Sequence, residues 1–82
     1  MYFVYILKST RKQTYYKGLT NNLSKRLKQH FSGQVVSTKS LLPLDLIHVE
    51  LCSDRALARK TEKFFKSGFG REIIKELDLQ KI

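Results

Sequence analysis

Six residues near the start of the chain, Tyr2-Phe3-Val4-Tyr5-Ile6-Leu7, are apolar or aromatic without a break. Successive side chains of a strand point to opposite faces, so this run is apolar on both and reads as a strand covered on two sides. Few arrangements of 82 residues can bury it, because a chain this short removes only about 60 to 65% of its unfolded surface from water. A single domain, 1–82, and marginal stability are the expectations. Polar residues Lys8 to Thr14 form a turn, and Tyr15 to Thr20 forms a second strand that completes a hairpin. Gly18 within that strand implies close approach by another backbone or a side chain, where a Cβ would not fit.

The rest of the chain alternates helical and extended signals. Asn21 or Asn22 can cap a helix whose apolar stripe is Leu23, Leu27 and Phe31, and Gly33 lies just past its end. Arg26 and His30 share a face at the edge of that stripe. Ser32 to Leu42 lacks periodicity and reads as a surface loop. Leu44 to Leu51 is a third strand. Ser53-Asp54 caps a second helix, with Leu57, Thr61 and Phe65 in one row and Ala58 and Glu62 on its flank. Gly68 stops it, Ser67 to Arg71 turns the chain, and Arg71 to Leu77 makes a third helix burying Ile73, Ile74 and Leu77. The order is β-β-α-β-α-α, an α+β fold with a three-stranded, mainly antiparallel sheet flanked by three helices that cover one side of it.

Charge narrows the partners. The net charge is +9, and residues 1–44 hold eight cations (Lys8, Arg11, Lys12, Lys17, Lys25, Arg26, Lys28, Lys39) and no acid. The remainder is nearly balanced, with eight cations against seven acids. A one-sided positive field attracts polyanions and gains from counterion release when it neutralises phosphates, so nucleic acid is the natural partner. No run approaches the roughly 20 apolar residues of a membrane span, and a soluble, cytoplasmic, monomeric protein is expected. The single cysteine, Cys52, cannot form an internal disulfide and reads as a buried packing residue.

Tyr5, Tyr16-Lys17-Gly18, Arg26, His30 and Glu62 occur in an order and spacing that resembles the GIY-YIG nuclease superfamily. The resemblance extends through Val4-Tyr5-Ile6-Leu7, Tyr15 to Asn21, Arg26 to His30, Ser37-Thr38-Lys39, Pro43-Leu44 and Glu62 to Glu72. It is strongest to small members made of the nuclease module alone. Phe3 and Val4 replace the glycine and isoleucine of the first name-giving tripeptide, and Lys17 the isoleucine of the second. The asparagine that some members carry late in the chain has no evident match.

The resemblance implies an endonuclease that hydrolyses DNA phosphodiesters, with a structure-selective role in repair or recombination. Glu62 would hold a divalent metal, Mg²⁺ or in its place Mn²⁺, and Mg²⁺ suits a site with one carboxylate because it retains waters and takes phosphate oxygens. Arg26, a permanent planar cation, would brace charge on the phosphate. Tyr5 and Tyr16 would orient and deprotonate water, and which of them is the base stays open. Surrounding cations would favour the phenolate. His30 would contact a phosphate oxygen or move a proton. Lys17, Lys25, Lys28, Lys39 and Arg71 are candidates for flanking phosphates. Taken singly, each residue also has a structural explanation: tyrosines filling a core, a histidine complementing a helix C-terminus, Glu62 paired with Arg59 or Lys66. A nucleic-acid-binding module with this fold and little turnover is the alternative reading.

Overall fold

The protein is described by a computed structural model covering residues 1–80. Its elements are β1 (Tyr2–Ser9), β2 (Tyr15–Thr20), α1 (Leu23–Phe31), α2 (Val36–Lys39), β3 (Leu44–Cys52), α3 (Arg55–Lys66) and α4 (Gly68–Gln80). The strands form one antiparallel sheet in the order β2-β1-β3. The doubly apolar strand is therefore the central one, hydrogen-bonded along both edges. Tyr5 lies opposite Gly18 on one neighbour and Val49 on the other. A bulge between Ile6 and Leu7 shifts the β1–β3 register.

Both faces of β1 are covered, and by different elements. Val4 and Ile6 pack with Cys52, Ala58, Phe65 and Ile74, so α3 and α4 cover that face. Tyr5 and Leu7 pack with Leu44, Tyr16, Leu23 and Leu27, so α1 covers the other. The expectation that helices lie on one side is corrected accordingly: a strand apolar on both faces needs apolar cover on both. Cys52 is buried, as expected, with its thiol toward Thr61.

Local chemistry accounts for the helix ends. The Asn22 side chain accepts the Lys25 N–H at 3.2 Å, and Asp54 accepts the Leu57 N–H at 2.8 Å, each satisfying a donor left orphaned in a first turn. Three further expectations are corrected. The segment after α1 contains a one-turn helix, α2, too short to show a period. Phe31 is 45% exposed, and His30 takes the buried position instead. Residues Gly68 to Arg71 are the first turn of α4 and not a connecting turn. A Cβ on Gly70 would overlap the Phe64 carbonyl, so glycine there lets α4 start tight against the end of α3.

Asp78, in the last turns of α4, ties that helix to the hairpin. Its carboxylate accepts the Tyr15 hydroxyl at 2.7 Å and pairs with Lys8 at 2.7 Å. Burial, then the bond to Asp78 and its charge, push the Tyr15 phenol up to about 12. The folded state thus holds this proton more tightly than the unfolded chain, whose phenol titrates near 10. The stability it confers is fully present below about pH 10 and is lost as pH rises through about 12. Urea titrations across this range should show Tyr15→Phe losing less stability with rising pH than the wild type. Parallel curves would mean that the Tyr15–Asp78 contact does not act on folding.

Candidate functional site

Alternation along the hairpin places one set of side chains on the α1 face of the sheet. Tyr5 and Leu7 of β1 face that way, and so do their cross-strand partners Gly18 and Tyr16 of β2. Gly18 lies directly beneath the Tyr5 ring: a Cβ there would be 2.5 Å from the Tyr5 Oη and 2.6 Å from its Cζ. The close approach inferred from sequence is thus made by a side chain. α1 brings His30 against both phenols, with ring centroids 5.4 Å from Tyr5 and 5.1 Å from Tyr16, and the two tyrosine rings are 6.3 Å apart.

His30 is fully buried and not at the edge of the stripe. Its Nε2 is 2.8 Å from the Tyr5 hydroxyl, and its Nδ1 is 2.8 Å from Thr38 Oγ1. Burial and the nearby Arg26 hold its pKa below the usual value, so the ring is neutral at pH 7. We assign the proton order that satisfies every contact: Thr38 donates to the Val35 carbonyl, 3.5 Å away, and accepts from Nδ1–H. Nε2 is then bare and accepts the Tyr5 O–H. Thr38 comes from α2, the segment read as loop; its bond to His30 crosses from one helix to another, so no local pattern marks it in sequence.

The expected depression of the tyrosine pKa is reversed at Tyr5. Burial pushes this phenol up, Tyr16 and Glu62 push in the same direction, and the Arg26 guanidinium beside it only partly offsets them. Desolvation disfavours the phenolate more than one cation favours it. Arg26, half-buried, donates to Gln29 at 3.1 Å. Glu62 reaches the site from α3, its side chain 17% exposed and its carboxylate 3.6 Å from Lys66. The structure therefore gathers Tyr5, Tyr16, Arg26 and His30 on one face of the sheet, and the charge of Glu62, from α3, acts on Tyr5.

The remaining candidates fall into separate places. Lys25 and Lys28 line a shallow hollow along α1 with Asn22, Gln29 and Gln34, and Lys25 also borders an adjoining hollow with Arg26 and Thr20. Lys17 and Arg71 share a third hollow with Tyr15, Tyr16 and Lys66. Lys39 sits at the exposed end of α2, near Gly33.

Among the described residues no group of three or more His, Cys, Asp or Glu could hold a metal ion. A cation here would have Glu62 as its one carboxylate and take its other ligands from phosphate oxygens and water. That donor set fits a hard ion such as Mg²⁺, which dehydrates reluctantly, better than the nitrogen and sulfur ligands of most Zn²⁺ sites.

Thr38→Val tests the buried chain of hydrogen bonds. It leaves His30 Nδ1 unpaired in the interior, which costs about 1–3 kcal/mol, whereas Thr38→Ser keeps the hydroxyl. Urea denaturation should separate the two variants by that amount. Equal stabilities would show that Thr38 does not hold the ring.

Paired tyrosines on a hairpin, an arginine and a histidine from the next helix, and a lone glutamate from a later one define a GIY-YIG module. The family model for the GIY-YIG catalytic domain matches residues 1–75, and the chain belongs to that family. Its relatives are small proteins of the UPF0213 group. It is 39% identical to the UPF0213 protein of Bacillus cereus (strain ATCC 10987 / NRS 248) over 54 residues, 65% of this chain and 56% of that protein. It is 38% identical to that of Bacillus licheniformis over 66 residues, 79% of this chain and 67% of the relative. With that of Syntrophus aciditrophicus the identity is 39% over 66 residues, 78% and 75% of the two chains. The solution NMR structure of the UPF0213 protein BH0048 from Bacillus halodurans shares the fold, with a TM-score of 0.57 and 27% identity over 94% of this chain and 85% of that one. No helix among the described residues is long and apolar enough to cross a membrane.

Proposed function

We propose that this GIY-YIG domain is a Mg²⁺-dependent endonuclease that hydrolyses DNA phosphodiester bonds. The observation that carries this reading is the convergence of two phenols, an imidazole and a guanidinium on one wall of the sheet, with the charge of Glu62 felt at Tyr5. Hydrolysis requires an in-line water to lose a proton while charge grows on the phosphate oxygens. Arg26 opposes that growing charge with a cation that cannot deprotonate. Glu62 would hold the divalent ion, which when bound supplies further charge neutralisation at the phosphate.

The raised Tyr5 pKa and its bond to His30 support a relay in place of a standing phenolate. As the Tyr5 oxygen accepts a proton from water, its own proton passes to His30 Nε2, 2.8 Å away. The water becomes hydroxide, His30 becomes imidazolium, and Tyr5 ends protonated. Tyr5 thus acts as a base without ever being charged at rest, and Thr38 keeps Nε2 available by holding the proton on Nδ1. Tyr16, tilted at 60° against the same imidazole, would position the water. This assigns the base to Tyr5 rather than leaving it between the two.

Labelled duplex, single-stranded and branched DNA incubated with the purified protein in Mg²⁺, Mn²⁺ or EDTA tests the reading. Cutting that needs metal and is lost in Arg26→Ala is the expected result. Salt-sensitive binding with no cutting of any substrate would favour the binding module.

A further inference from the structure

The hollow bounded by Lys17, Lys66 and Arg71 is not explained by folding. Lys17 projects from β2 on the face opposite Tyr16, Lys66 ends α3, and Arg71 lies in the first turn of α4, so three separate elements bring a cation to one place. Glu62 offsets Lys66 at 3.6 Å. Among the described residues, neither Lys17 nor Arg71 has an acidic partner. Arg71 spends one donor on the Lys66 carbonyl at 3.3 Å and retains others of its planar fork. Lys17 is half-buried, and burial followed by repulsion from Arg71 and Lys66 lowers its pKa. An arrangement that gathers like charges and partly removes one from water works against the folded state unless an anion enters.

Tyr16 identifies the anion's origin. It lines this hollow, while its ring packs on the other face of the sheet in the cluster around His30, so the hollow lies one strand residue from the proposed reaction centre. On the other flank Arg26 continues into the hollows that carry Lys25 and Lys28. A strand crossing the site has cations on both sides of the scissile bond.

We propose that Lys17, Lys66 and Arg71 form a second phosphate subsite, which holds the DNA backbone at a linkage neighbouring the one that is cut. Its position relative to the cut rests on the nuclease reading; its affinity for a backbone phosphate does not. The lysine that departs from the family's name-giving tripeptide is, on this view, the residue that builds the subsite.

Binding of a short fluorescent DNA duplex in EDTA tests the subsite without turnover. A set of duplexes, each carrying one neutral methylphosphonate linkage, is titrated against wild type, Lys17→Gln and Lys17→Gln/Arg71→Gln. In the wild type, one linkage should weaken binding when neutralised, and in the double variant the same change should have little effect. The slope of log K against log salt should shrink by about 0.9 for each cation lost. Lys17→Gln should melt no lower than the wild type, since it removes a repelled charge, so it carries the test even if Arg71→Gln disturbs the helix corner. Equal losses in wild type and variants at every linkage, or an unchanged salt slope, would overturn the subsite. Lower melting of Lys17→Gln with undiminished binding would also overturn it, making Lys17 structural. Normal cutting with a flat methylphosphonate scan removes the subsite alone; a position-dependent scan with no cutting in Mg²⁺ removes the nuclease reading alone.

Discussion

On the proposed reading, Glu62→Ala is expected to abolish metal-dependent cleavage, reducing the rate by about 1,000-fold or more, and to leave DNA affinity in EDTA unchanged or slightly higher. The magnitude follows from losing several kcal/mol of transition-state stabilisation by a metal, at 1.36 kcal/mol for each tenfold. The direction of the binding effect follows from charge, since removing the acid releases Lys66, 3.6 Å away, to attract phosphate. Stability should barely change. An i,i+4 ion pair on a helix is worth about 0.3–0.5 kcal/mol, and Glu62 is flanked by the buried Ala58 and Phe65 without being part of that core. Three measurements on one variant therefore separate a metal-holding acid from a structural one. Cutting in Mg²⁺ that survives in a clean preparation would sink the assignment, and a large drop in melting temperature with parallel loss of binding would make Glu62 a folding residue.

Gly18→Ala is expected to damage site and stability together, through a contact that no charge or hydrogen bond reveals. The added methyl would sit 2.5 Å from the Tyr5 hydroxyl oxygen, 2.6 Å from Cζ and 3.1 Å from a Tyr16 ring carbon. The Tyr5 ring cannot give way freely, because it is buried and its hydroxyl is bonded to His30 at 2.8 Å. Overpacking of this kind costs about 1–3 kcal/mol, and a displacement of about 1 Å at a reacting group can cost about 100-fold in rate. Repeating the substitution in a Tyr5→Leu background isolates the cause: with the aromatic ring gone, the methyl should be tolerated and the stability penalty should largely disappear. An undiminished penalty in that background would place the strain in the β2 backbone instead.

These residues also show where reading the chain works and where it stops. Tyr2 to Leu7 announces a covered central strand because burial on both faces leaves no polar position in the run. Leu23 and Leu27 mark the packed face of α1 because helical repetition is a local property. His30 defeats the same reasoning. It replaces Phe31 as the buried residue near the helix end only because Tyr5, twenty-five residues earlier, and Thr38, eight later, satisfy both ring nitrogens, and periodicity carries no information about such partners. The chain order of Tyr5, Tyr16, Arg26, His30 and Glu62 indicated that they belong together; their burial did not follow from it, and the expected lowering of the tyrosine pKa is reversed at Tyr5. Gly70 illustrates a further limit. α3 does stop before Gly68, but Gly70, read as part of the following turn, lies instead at the seam where α4 abuts the Phe64 carbonyl, a packing fact set by α3.

The sheet divides the molecule into two apolar bodies, one packed on each of its faces. Phenols, imidazole and guanidinium belong to the body built on α1, and the lone carboxylate to the body built on α3 and α4. Undocking of the α3–α4 pair would carry Glu62 away and leave the other groups in place. A molecule in that condition could still hold DNA through α1, yet would lack the acid assigned to the metal. On the nuclease reading, competence to cut would thus be interlocked with completion of the fold.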